Sequence, residues 1–243
     1  MPKMEVNGTV LHYHVQGDGV PIVFIHPPTL TSETFNYQRE TLSDEFKIVT
    51  FDIRGHGHSA PSETPLTYPL IVEDMTRLLD ALDIKKCFVC GYSTGASVAL
   101  EALLSCPDRY QGGILLSGMS EISDPWNRAR LRAAIAATRL PSGAPISAAI
   151  AWGNADMGIT YRNLYTHAKQ GSAKNFREYY EYSLRYSCTD RLHHVKQPML
   201  LMYGLKDRSF FRYADILKAR LQTQQTYMLR EVGHQLPTKA PRR

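Results

Sequence analysis

No stretch of this 243-residue chain approaches the ~20 consecutive apolar residues that a membrane-crossing helix needs. The start, Met1-Pro2-Lys3-Met4-Glu5-Val6, also lacks the apolar core of a secretion signal, so a cytoplasmic location is expected. Cysteine is scarce: Cys87, Cys90, Cys106 and Cys188 are the only four. Cys87 and Cys90 match a redox or metal spacing on paper, but they lie in an apolar strand run, where residues three apart point to opposite faces. Buried, inert thiols in a reducing compartment are the better reading. Long blocks of like charge are missing too. Lys and Arg number 28 against 23 Asp and Glu, a formal excess of 28 − 23 = +5, and the two signs are interspersed, which argues against a nucleic-acid partner. The densest basic stretch, Arg128, Arg130, Arg132 and Arg139, has helical spacing that spreads it over more than one face, as on a solvated helix. After Gly55-x-Gly57 there is no third glycine and no helix, which excludes a dinucleotide signature. A hydrophobic content of 43% with 21% charged residues excludes disordered and fibrous classes.

What the chain does hold is a turn with chemistry in it. Gly91-Tyr92-Ser93-Thr94-Gly95 sits between the apolar run Cys87-Phe88-Val89-Cys90 and a helical pattern over 96–104. A serine at such a strand-to-helix turn is held in a strained conformation that lifts its hydroxyl clear of the sheet, and the flanking glycines let strand and helix pass closely. The N–H of Thr94, at the helix start, then points toward charge developing on a substrate oxygen near Ser93. The pentapeptide alone matches many ordinary turns. A serine nucleophile also needs a histidine base, and that imidazole needs a carboxylate. Both follow, in the order Ser, Asp, His. Pro198 to Gly204 reads as a buried strand with Asp207 in the loop after it. A helix over about Phe210 to Leu221 and a short strand over about Thr226 to Leu229 then lead to His234 in a loop. Read singly, Asp207 is a helix-start cap and His234 a surface histidine. Neither reading explains why all three fall on successive strand-end loops, where open parallel sheets place their sites.

The rest of the chain supplies the frame. Lys3 to Val6, Asn7-Gly8 and Thr9 to Gln16 predict a hairpin. Within it His12 and His14 share one strand face and read as exposed histidines on an edge strand. Pro21 to Ile25 and Lys47 to Phe51 are apolar runs suited to central parallel strands, as is Gln111 to Leu116. Ser32 to Leu42 should be helical with Ser32 as its cap, and Tyr68 to Leu82 has helical apolar spacing. Strands alternating with helices imply an α/β fold with a mostly parallel sheet, covered on both faces. From about Glu121 to Leu192 strand runs vanish and helical stretches replace them, broken at 140–145 and at Gly171-Ser172. Trp126, Trp152, Tyr161, Tyr165, Tyr179 and Tyr182 fall here, either packed between helices or lining a pocket.

These motifs, with Asp52-Ile53-Arg54-Gly55-His56-Gly57-His58-Ser59 after an earlier strand, closely resemble the α/β-hydrolase superfamily over nearly the whole chain. The resemblance implies a hydrolase core over 1–120 and 193–243 and an inserted helical cap over 121–192. It implies Ser93, Asp207 and His234 as catalytic triad, Thr94 as one oxyanion donor, and Tyr92 and Trp126 as substrate-binding residues. It further implies a cofactor-independent serine hydrolase acting on a small carboxylic ester, thioester or lactone, with no metal or nucleotide. Carbon–carbon hydrolysis or lyase chemistry, or a weakly catalytic small-ligand receptor, stay open as alternatives on the same fold.

Two features depart from the family pattern. Relatives commonly follow the strand at Pro21 to Ile25 with His-Gly and a residue whose N–H is the second oxyanion donor, whereas here the run is His26-Pro27-Pro28-Thr29. If Pro28 holds the donor position that contribution is absent, and Thr29 is the alternative donor. His26 reads as a structural hydrogen-bonding residue beneath this loop. The second departure follows His234, where two prolines among the last nine residues argue against a final helix. An apolar face of the sheet would then stay uncovered, open to self-association.

Overall fold

The computed structural model describes residues 2–140 and 143–241. Pro141 and Ser142 of the expected helix break, and Arg242 and Arg243 of the tail, lie outside the described residues. At the start, the Asn7-Gly8 turn takes left-handed φ values of 50° and 67°. It joins β1 (Lys3–Val6) to β2 (Thr9–Gln16) in an antiparallel hairpin. There follow β3 (Val20–Ile25), α1 (Asn36–Leu42), β4 (Phe46–Phe51), α2 (Tyr68–Ala81), β5 (Cys87–Tyr92), α3 (Thr94–Ser105) and β6 (Tyr110–Leu116). Between β6 and the next strand come α4 (Pro125–Ala137), α5 (Ala144–Asn154), α6 (Gly158–Ala168) and α7 (Ala173–Arg185). The chain then returns with β7 (Met199–Gly204), α8 (Phe211–Arg220), β8 (Gln224–Leu229) and the one-turn α9 (Leu236–Lys239).

The strands form one eight-stranded sheet in the order β1-β2-β4-β3-β5-β6-β7-β8, parallel from β4 through β8. Chain direction across the sheet reverses at β3: β4 lies on one side of it and β5 on the other. That reversal opens a crevice beyond the carboxyl ends of β3 and β5. Ser93 follows β5 and the His26-Pro27-Pro28 loop follows β3, so both meet at this crevice. The four inserted helices leave and rejoin the sheet through a bridge between Glu121 and Ser187, with Ser120 Oγ and Thr189 Oγ1 2.8 Å apart beside it.

Alternation along the central strands splits the core in two. Val23, Ile25, Val49, Phe51, Val89 and Leu201 pack under α2, α3 and α8, while Ile22, Phe24, Ile48, Cys90 and Leu116 face the side of α1 and α9. Cys87 joins the first set and Cys90 the second, the opposite orientation expected of residues three apart on a strand. Cover is uneven. The second face keeps an apolar hollow of about 580 Å³ lined by Ile22, Phe46, Phe88, Ile114 and Leu200.

Three local expectations are corrected. The turn before α1 is capped by Thr31, whose hydroxyl accepts from the Glu33 N–H, because Ser32 gives its own N–H and hydroxyl to Asp52. A helical turn does form after His234: Pro237 sits in the first turn of α9, where a missing N–H costs nothing. The histidines of β2 are not on an edge, since β1 flanks that strand on one side and β4 on the other. His12 is buried with Nδ1 2.9 Å from Asp52 Oδ2, and its ring stacks edge-on with His14 and His58. Among the described residues no group of three His, Cys, Asp or Glu side chains converges as metal ligands would, and no helix is long and apolar enough to cross a membrane.

Candidate active site

Because β5 ends at Tyr92 and α3 begins at Thr94, Ser93 alone makes the reversal between them, with φ 56° and ψ −123°. A non-glycine residue held there costs about 1–3 kcal/mol. The Ser93 N–H donates to the Leu116 carbonyl at 2.9 Å, which anchors the turn to β6. The flanking glycines are forced by space: a Cβ on Gly91 would lie 2.3 Å from the Gly95 carbonyl oxygen, and one on Gly95 2.3 Å from that of Ile25. Thr94 opens α3, so its N–H belongs to the first turn, which has no intrahelical acceptor.

The loops after β7 and β8 bring the other two residues to Ser93. His234 Nδ1 is 2.7 Å from Asp207 Oδ2 and Nε2 is 2.9 Å from Ser93 Oγ. With Nδ1–H donated to the carboxylate, the Nε2 lone pair faces the serine hydroxyl. The imidazole lies between Phe210 and Tyr92, at centroid distances of 4.2 and 5.4 Å. Its backbone carbonyl accepts from Ser117 Oγ at 3.0 Å, while Asp207 Oδ1 accepts from Ser209 Oγ at 3.0 Å. Both imidazole and carboxylate are thus held by second partners.

The loop after β3 closes the other side. His26 is fully buried: Nε2 accepts from the Ile53 N–H and Nδ1 donates to the Pro27 carbonyl, each at 2.9 Å. Burial lowers its pKa, so it stays a neutral structural residue. Pro27 and Pro28 line the cleft with Ser93 and Thr94, whereas Thr29 does not. Thr29 is buried at φ 71° and its hydroxyl donates to Tyr180 at 3.1 Å. The Tyr180 hydroxyl donates in turn to the Pro28 carbonyl at 3.4 Å, and Tyr179 donates to that of His26 at 3.1 Å. Adjacent tyrosines of α7 therefore tie the helical insertion to the loop beside Ser93.

The cleft has a volume of about 170 Å³. A larger hollow of about 520 Å³, lined by Glu33 and Arg162, contains none of the three residues. Met119, Ile122 and Ile150 make the cleft wall apolar. Tyr92 lines it and donates to Asn154 Oδ1 at 2.9 Å. From α4 come Asn127, Arg130, Leu131 and Ala134, spaced i, i+3, i+4, i+7 on one helix face. Trp126 is a correction. One position earlier is about 100° around the helix, and its ring is 65% exposed outside the cleft. Trp152, 74% exposed, also lies outside it. Arg130, Arg132 and Arg139 are exposed, as a solvated helix implies, and Arg130 also borders the cleft, for which the spacing from Asn127 to Ala134 was the available signal.

Comparison with known proteins comes to one group. Residues 22–243 match the alpha/beta hydrolase family. Over 105 residues the chain is 36% identical to an sn-1-specific diacylglycerol lipase of Danio rerio, covering 42% of this chain and 33% of that protein. It is 32% identical over 128 residues to a serine hydrolase of Homo sapiens, covering 50% of this chain and 44% of that protein. The matches thus span about a third to under half the length of these curated relatives. The crystal structure of a hydrolase from Pseudomonas aeruginosa superposes with a TM-score of 0.87 at 19% identity, over 99% of this chain and 93% of that one.

Proposed function

The chain belongs to the alpha/beta hydrolase family, and from that premise we propose that it is a serine hydrolase that cleaves a small carboxylic ester, thioester or lactone without a cofactor. The observation that carries this reading is the 2.9 Å approach of His234 Nε2 to Ser93 Oγ, with Asp207 2.7 Å behind the imidazole. His234 takes the Ser93 proton as Oγ attacks the carbonyl carbon, and the carbonyl π pair moves onto oxygen. The Thr94 N–H stabilises that oxyanion at the start of α3. Collapse expels the alkoxide or thiolate, which takes the proton from His234, and leaves Ser93 acylated. Water then gives a proton to the same imidazole and attacks the acyl carbon, and the C–Oγ bond breaks as His234 returns that proton to Ser93 Oγ, releasing the acid. The inserted helices act as a cap that walls this cleft. The names of the matched relatives, a lipase and a serine hydrolase, agree with this chemistry.

Pro27 and Pro28 favour a second reading. If Pro28 holds the second donor position it offers no N–H, and the Thr29 hydroxyl is engaged with Tyr180, so oxyanion stabilisation would rest on Thr94. Such a site would be slow, as suits a weakly catalytic small-ligand receptor. A fluorophosphonate probe followed by mass spectrometry tests the main reading, with label on Ser93 in the wild type and none in Ser93→Ala as the expected result. An unlabelled Ser93 in folded protein would count against it.

A further inference from the structure

The cleft beside Ser93 has one permanently charged side chain on its wall. That side chain is Arg130, and among the described residues lining the cleft there is no carboxylate. Asp207 is held behind His234. Among the described residues Arg130 makes no ion pair, although α7, packed against α4, carries Glu178 and Glu181. Its named partner is an uncharged amide, with Nη1 donating to Asn127 Oδ1 at 3.3 Å. Asn127 is buried and fixed in turn, its N–H and Nδ2 donating to the two oxygens of Asp124 at 2.9 and 3.0 Å. That leaves Oδ1 facing the guanidinium, so Arg130 is oriented without being neutralised. Its charge is felt inside the cleft. Burial pushes the Tyr180 phenol up to about 12 and that of Tyr92 further, and Arg130 opposes the shift at both.

A guanidinium presents a planar fork of donors that matches a carboxylate, and such a pair gains where apolar walls exclude water. Arg130 is itself exposed, so with a neutral ester its guanidinium keeps water and the Asn127 amide as partners, whereas a carboxylate in the cleft would take the place of that water.

We propose that Arg130 is the specificity-determining residue of the cleft, and that it binds a free carboxylate on the ester, thioester or lactone cleaved at Ser93. This rests on the serine-hydrolase reading and adds a substrate class to it. The carboxylate sits on either the acyl or the leaving part, and matched substrates separate the two. p-Nitrophenyl hemiglutarate against p-nitrophenyl valerate places it on the acyl side. 4-Acetoxybenzoate against 4-methylphenyl acetate places it on the leaving side. In wild type the anionic member of one pair should have the higher kcat/KM. In Arg130→Gln the anionic-to-neutral ratio of that pair should fall about tenfold or more, whatever loss both substrates share. Arg130→Lys should recover part of the ratio, and added salt should lower it in wild type only.

Turnover of the neutral esters with no anionic preference in either pair, or a ratio unchanged in Arg130→Gln, would overturn the carboxylate assignment alone. No turnover of any ester by folded wild type, with Ser93 unlabelled by the fluorophosphonate, would overturn the hydrolase reading and this assignment with it.

Discussion

At the scale of single residues, the serine-hydrolase reading makes Pro28 a limit on how fast Ser93 would be acylated, if that proline holds the place of a second hydrogen-bond donor. One oxyanion donor is worth roughly 10²- to 10³-fold in turnover. Pro28→Gly restores an N–H and should raise the acylation rate with an activated acetyl ester, by no more than that factor. Thr29→Ala, which keeps the backbone N–H and removes the hydroxyl bonded to Tyr180, should change it little. Collapse of acylation in folded Thr29→Ala, with no gain in Pro28→Gly, would transfer the donor role to the Thr29 hydroxyl. His234→Ala removes the base 2.9 Å from Ser93 Oγ and should cut kcat/KM by at least about 10³-fold. Circular dichroism should stay unchanged, since the imidazole packs beside Tyr92 at the end of β5 and Phe210 in the loop after β7 rather than inside the core. Full turnover by the folded variant would remove His234 from the mechanism.

Among the elements, the turn between β5 and α3 is where sequence and structure agree most closely, because every determinant is local. Apolar strand, glycine, serine, glycine and helix follow within a few residues. Gly95→Ala would push a Cβ to 2.3 Å from the Ile25 carbonyl oxygen, and backbone cannot give way as a side chain tip can. It should cost about 2–4 kcal/mol. At about 2–4 °C per kcal/mol for a chain of this size, Tm should fall by about 4–16 °C in a thermal melt. A Tm within 1 °C of wild type, within the ~±0.5 kcal/mol of ordinary surface changes, would refute the close approach. The Asn7-Gly8 hairpin was legible for the same local reason. What was not legible depends on how elements are placed in space. The helix over α4 could be read from spacing, but its rotation decides that Arg130 faces the cleft and Trp126 faces away. The pairing of His12 with Asp52 joins residues 40 apart in sequence, which no local pattern announces. Ser32 failed as a cap because Asp52, 20 residues further along the chain, claims it.

Over the whole molecule, buried imidazoles couple folding to pH. Burial lowers the pKa of His14 to about 4 and of His56 to about 3, and it lowers those of His26 and His58 as well. Each folded value lies below the ~6.5 of an unfolded histidine, so the unfolded chain binds more protons below pH ~6.5. The stability they contribute is complete above that pH and is lost as pH falls toward the folded values, by up to about 1.4 kcal/mol per pH unit for a fully buried imidazole such as His56. Tm should be level from about pH 7 to 8 and decline below pH ~6. His56→Gln should flatten the decline, and an unchanged slope would remove His56 as a source. The ties from Tyr179 and Tyr180 to the loop at His26 and Pro28 bear on a different property, the order in which the molecule opens. α7 buries Asn175, Phe176, Tyr179, Tyr180 and Ser183, whereas α4 buries only Asn127 and Ile135. Amides of α7 should therefore exchange hydrogen for deuterium only with the β-sheet, in global unfolding, while those of α4 exchange earlier through local opening. The wall bearing Arg130 can then admit and release small molecules while the wall tied to the His26 and Pro28 carbonyls stays shut.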